Sequence, residues 1–131
     1  MESTRRVAII GGNRIPFVRS HTSYKDASNF DMLSASLQGL VKRFDLEGER
    51  LGEVAAGAVM KHTKDFNLAR EATLSCGLSP RTPAYDVQQA CGTGLEAAIL
   101  VANKIALGQI DCAIAGGADT ASDVPIGVNE S

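Results

Sequence analysis

The chain has 131 residues, 44% hydrophobic and 21% charged, with 13 Lys+Arg against 15 Asp+Glu. That is enough for one domain with its own core and too little for two. A net charge of −2, with no basic stripe interleaved with aromatics, gives nucleic acid little to hold and excludes it as an expected partner.

No apolar run reaches the length of a membrane span, and "VAII" near the N-terminus is too short for a signal-peptide core. Three cysteines without paired spacing argue against a disulfide framework. A reducing compartment, most simply the cytoplasm, is expected. No CxxC, HExxH or clustered His/Cys pattern suggests a metal.

Taken in chain order, "RVAII" (6–10) is a continuous β-branched run ended by Gly11-Gly12 and predicts a buried strand. Residues 13–31 lack a period and include Pro16, which predicts a loop. Met32, Leu33, Leu37, Leu40, Val41 and Phe44 share one helical face. Asp31, Ser28 and Asn29 compete as the N-cap of that helix. "EVAAGAVM" (53–60) predicts a strand and "NLAREATLSCG" (67–77) a helix, with Asn67 able to cap it and Gly77 placed as a C′ glycine.

"SPRTP" (79–83) is a turn and "AYDVQQ" (84–89) a short strand. A helix runs from Gly92 to Leu107 with Gly108 as its stop, and "DCAIAGGAD" (111–119) is the last strand. Alternating strands and helices imply an α/β layer around a largely parallel sheet. The helix over 93–107 is apolar nearly all round, with only Glu96, Asn103 and Lys104 clearly polar. Such a helix needs cover on several sides, so a second half or a second subunit is expected to pack over it. The chain also ends in "SDVPIGVNES" without a closing element, as the front part of something longer would.

Cys91 stands where a strand hands over to a helix. Unpaired backbone N–H groups and the positive end of the helix dipole favour thiolate over thiol there. Gly92 and Gly94 remove bulk, so that a substrate carbonyl could approach the sulfur. The same junction is how hydrolases present a nucleophile on a sharp elbow. A packed, inert thiol is the plain competing reading. A sharper rival is a dinucleotide site: Gly92, Gly94 and Ala97 spell G-x-G-x-x-A after a strand, and Asp119 ends the next one. Cys76 and Cys112 fall on apolar elements and are expected in the core. His21 and His62 are expected as exposed loop histidines without a partner, and "KHTK" (61–64) as a solvated turn.

Four ordered segments resemble the thiolase family. "ACGTGLEAA" (90–98) resembles its acyl-accepting cysteine motif, and "RIPFVRS" (14–20) its Arg-Thr-Pro-Phe segment. "NLAREATLSCGLSPRTPAYDV" (67–87) resembles its Asn-x-Ala-Arg helix and the strand leading to the cysteine. "AGGADTASDVPIGV" (115–128) resembles its Gly-Gly-rich segment ending in proline. Ile15 for the usual Thr and Thr93 for the commoner Ser are the departures.

The resemblance implies a βαβαβαββ half with a mixed, mostly parallel sheet and a buried central helix. Residues 1–131 would be the N-terminal half, with the loop domain and C-terminal half absent. It implies an acyltransferase in fatty-acid metabolism with Cys91 as the catalytic residue, acyl-CoA and CoA as partners, no resident cofactor, and a homo-oligomer in the complete protein. The activating His, the second Cys and most CoA contacts would lie outside this chain. The alternatives are a Rossmann-like dinucleotide-binding fragment and a non-catalytic half-domain acting only with a partner chain.

Overall fold

The computed structural model describes residues 4–129. Helix α1 (Asn29–Arg43) begins at Ser28, not at Asp31. Ser28 Oγ accepts the Asp31 N–H at 3.1 Å, and the Asp31 carboxylate accepts the Ser28 N–H at 2.9 Å. This reciprocal capping box satisfies two helix-end donors at once. Lys42 and Arg43 complement the dipole at the other end.

Strand β1 (Glu53–Gly57), helix α2 (Leu68–Ser75), strand β2 (Ala84–Asp86), helix α3 (Thr93–Ala106) and strand β3 (Ala113–Gly117) follow. Gly77 (φ 96°) and Gly108 (φ 76°) take the left-handed conformation that ends α2 and α3. The strand order is β2-β1-β3, and both pairings are parallel. The expected α/β layer with a parallel sheet is present.

Asn67 occupies the N-cap position of α2 without capping it through its side chain. Asp86, the last residue of β2, does so instead, accepting Leu68 N–H at 3.2 Å and Ala69 N–H at 2.7 Å. An acid three-dimensionally adjacent can satisfy the orphan donors as well as a sequence neighbour can.

The expected strand over 6–10 does not form. Val7, Ile9 and Ile10 are exposed, the last two at 94% and 80%. The segment runs as a strap held at its ends. Arg5 N–H bonds Ala106 O at 2.9 Å, and the Arg5 guanidinium meets Asp111 at 2.7 Å. Farther on, Arg43 donates to Gly12 O, and Asn13 Nδ2 donates to Ser36 O at 2.9 Å. β-Branched composition supplies propensity, but a ladder needs a partner edge, and among the described residues none takes this segment.

One core lies between α1, α2 and the sheet, with Leu33, Leu37, Val41, Leu68, Ala72, Val54 and Ile114 at its centre. A smaller one joins Ala97 and Val101 of α3 to Ala55 and Val87. The other side of α3 stays open in this chain: Leu95, Ile99 and Leu107 are 70%, 45% and 66% exposed. Among the described residues, no helix is long and apolar enough to cross a membrane.

Candidate functional site

Parallel strands point their carboxyl ends the same way, and open α/β sheets bind ligands there. The segments leaving β1, β2 and β3 at that end carry His62, Cys91 and Asp119. Cys91 lies in a single 3-10 turn, Ala90–Gly92, that leads directly into α3. Its side chain is exposed.

The turn before the thiol is strained. Ala90 has φ 46°, the left-handed region that costs an L-residue about 1–2 kcal/mol. Such strain persists only where surroundings enforce it. Thr93 is the main enforcer. Its Oγ1 accepts the Gln89 N–H at 3.0 Å and donates to Ala90 O at 2.7 Å. Gln88 Oε1 accepts the Ala90 N–H at 3.3 Å. The chain therefore reverses sharply under three side-chain hydrogen bonds and presents Cys91 one residue before the N-cap of α3, beside the end where backbone N–H groups favour negative charge. Strand, tight turn, nucleophile-type residue and helix follow one another as in a nucleophile elbow.

Two glycines play different parts. A Cβ on Gly57 would lie 2.0 Å from Val87 O and 2.9 Å from the Thr93 methyl, so β1 can approach the turn only as glycine. A Cβ on Gly94 would meet nothing within 4 Å. Packing within this chain does not require that glycine, and it leaves the space beside the start of α3 open.

The remaining candidates divide. Cys76 is buried as expected, its thiol 3.2 Å from Thr73 O, and burial pushes its pKa up. Cys112 is exposed, against expectation, because β3 begins only at Ala113 and Cys112 falls just outside the strand. His21 is exposed, in the left-handed region, with its N–H on Ser122 Oγ at 2.7 Å.

His62 is not a free loop histidine. Its Nε2 lies 2.9 Å from Asp123 O and 3.2 Å from Asp123 Oδ2. The "KHTK" stretch is solvated only at Thr63 and Lys64. Lys61 turns inward onto Asp86 at 2.9 Å, both side chains 13% exposed. The distant acid at the end of the neighbouring strand, which local sequence reading does not pair with this stretch, is the reason.

Asp119, the acid of the dinucleotide alternative, is engaged: its Oδ1 accepts Val59 N–H at 2.6 Å. Gly92 closes a helical turn instead of opening a phosphate loop, so this alternative is not favoured.

Residues 7–131 match the family described as thiolase, N-terminal domain. The chain is 41% identical over 126 residues to a 3-ketoacyl-CoA thiolase of Photorhabdus laumondii, covering 96% of this chain and 29% of that protein. It is 41% identical over 122 residues to the human mitochondrial trifunctional enzyme subunit beta, covering 93% and 26%. The acetyl-CoA acetyltransferase of Bacillus anthracis superposes with a TM-score of 0.90 at 27% identity, over 98% of this chain and 32% of that one. The chain thus spans under a third of the length of these relatives.

Proposed function

The chain belongs to the thiolase family, and on that premise we propose that it supplies the nucleophile of a thiolase-type acyltransferase, with Cys91 as the acyl-accepting residue. The observation that carries this reading is the strained turn at Ala90, which puts an exposed thiol at the start of α3 within "ACGTGLEAA". On this reading acyl-CoA and CoA are substrates, and the thiol carries the chemistry without a resident cofactor.

In thiolysis the Cys91 sulfur attacks the ketone carbon of a 3-ketoacyl-CoA, and the carbonyl electrons move to oxygen. The Cys91 backbone N–H is a donor for that oxyanion, the kind of contact whose removal costs about 2.7–4 kcal/mol where it has been tested. Collapse breaks the carbon–carbon bond and releases the acetyl-CoA carbanion, which takes a proton. CoA thiol then attacks the acyl-Cys91 carbonyl, gives up its proton, and expels the Cys91 thiolate. Run backwards, the sequence is a Claisen condensation. The base that moves these protons belongs to the rest of the protein, as does the cover for Leu95, Ile99 and Leu107.

We take residues 1–131 as the N-terminal half of the complete enzyme, acting in fatty-acid metabolism in the cytoplasm and as a homo-oligomer. Support for oligomerisation is that β2 is a sheet-edge strand of three residues whose outer side has no partner among the described residues.

The test is intact mass after exposure to acetyl-CoA, with the remaining thiolase half supplied. One acetyl group on the wild-type chain and none on Cys91→Ser is expected. Acetylation that survives Cys91→Ser would remove the assignment.

A further inference from the structure

Asp86 gathers more donors than a strand end needs. It is the final residue of β2, five positions before Cys91. Its carboxylate accepts Lys61 Nζ at 2.9 Å, Leu68 N–H at 3.2 Å and Ala69 N–H at 2.7 Å. One side chain thus joins the segment after β1, the start of α2 and the end of β2. A carboxylate with a cation and two backbone donors is firmly oriented, because charge-assisted bonds are roughly twice as strong as neutral ones.

The same segment after β1 grips the chain again two residues later. Val59 O accepts Gln88 Nε2 at 2.9 Å, while Gln88 Oε1 receives the N–H of the strained Ala90. Between these grips Val87 N–H bonds Ala56 O at 2.9 Å. Val87 O lies where a Cβ on Gly57 would otherwise be. Residues 86, 87 and 88 are therefore each held against residues 56 to 61, and Gln88 passes that hold on to Ala90. Lys61 also lies 5.3 Å from the Phe66 ring centroid, which covers the pair.

We propose that Asp86, held by Lys61, is a positioning residue for Cys91: the pair fixes where the chain leaves β2 and so holds the left-handed turn that aims the thiol along the start of α3. It touches no substrate and acts through the 87–90 segment. The inference rests on the reading of Cys91 as the nucleophile.

The three cysteines make the test internal to the chain. Cys91 and Cys112 are exposed and Cys76 is buried. Iodoacetamide labelling with peptide mapping then reports the site, an uninvolved surface thiol and global opening together. The variants are Asp86→Asn, Lys61→Met and Lys61→Arg, each in the whole 131-residue chain.

Because Cys91 is already exposed, loosening its turn adds no access and removes only its alignment with the helix end. Asp86→Asn and Lys61→Met are expected to slow Cys91 labelling about fivefold, the scale of one helix-terminus interaction. Cys112 should be unchanged and Cys76 still protected. Lys61→Arg, which keeps the cation, should restore the Cys91 rate.

Unchanged Cys91 labelling in Lys61→Met, which leaves both α2 caps intact, overturns the proposal. So does acceleration at Cys76, since the pair would then only hold the fold together. Acetylation of wild-type Cys91 is scored separately. A positive labelling result without acetylation would retain the clamp and discard the nucleophile.

Discussion

The two faces of the sheet are covered in different ways. On one, α1 and α2 close over Val54, Ala56 and Ile114 with Leu33, Leu37, Val41 and Leu68, and their outward sides are mostly polar. On the other, α3 alone sits on Ala55 through Ala97 and Val101, and turns Leu95, Ile99 and Leu107 away from the sheet. α1 is amphipathic, so one partner surface satisfies it. α3 is apolar on both sides, so the sheet satisfies half of it. The thick face is a finished core. The thin face carries the candidate nucleophile and leaves an open apolar patch, the kind of surface that marks an interaction site.

The largest expected contrast comes from the same truncation on the two faces. Leu68 is 1% exposed, and Leu68→Ala should cost about 2–5 kcal/mol, the range for deleting a packed leucine. Leu95→Ala should change stability by no more than about 0.5 kcal/mol in the chain alone. Denaturant unfolding of both variants measures the difference. A large loss at Leu95 would mean that the open side of α3 is already covered in solution, and the contrast between the faces would break.

A smaller effect is expected where α3 is attached. Thr93 is buried, its hydroxyl makes two hydrogen bonds to the turn, and its methyl packs at Gly57. Thr93→Val keeps the shape but leaves the Gln89 N–H and Ala90 O without their partner, a cost of about 1–3 kcal/mol. Thr93→Ser keeps both bonds and loses one methyl, so it should cost about 1 kcal/mol or less. Thermal unfolding orders the pair. If Ser is the worse substitution, methyl packing holds the turn, and the account of the Ala90 strain fails.

Much of this was legible in the residues. The α1 face, the Gly77 and Gly108 stops and the strand–Cys–helix junction follow from local patterns of 3.6 and from glycine chemistry. The uncovered side of α3 followed from its composition. What escaped was set by distant partners. "RVAII" reads as a strand because propensity is local, but pairing is not. Lys61 and His62 read as solvated because their acids, Asp86 and Asp123, are 25 and 61 residues away. Cys112 read as core because an apolar run does not say where a strand begins. At the site, the thiol could be singled out from sequence. The left-handed Ala90 and the Asp86 clamp could not, since alanine carries no signature of positive φ and an acid at a strand end is not marked as a helix cap.

The smallest effect separates the faces by pH. The thin face carries a half-buried cluster built around a phenol. Glu53, 5% exposed, pairs with Lys104 at 2.7 Å, and Lys104 Nζ sits 4.9 Å above the Tyr85 ring centroid. Burial, then the Glu53 carboxylate beside it, raises the Tyr85 phenol from its ordinary value near 10 to about 12. The phenolate is therefore harder to form in the folded chain than in the unfolded one. Between about pH 10 and 12 the unfolded state releases this proton first, so it binds fewer protons and stability falls as pH rises. Below 10 the contribution is fully present. Tyr85→Phe should flatten this part of the alkaline limb. Urea midpoints across that range, taken as wild type minus variant, isolate the slope that belongs to this phenol. An unchanged limb in Tyr85→Phe would mean that the phenol is as free as in the unfolded chain, and that the foot of α3 is as open as its outer side.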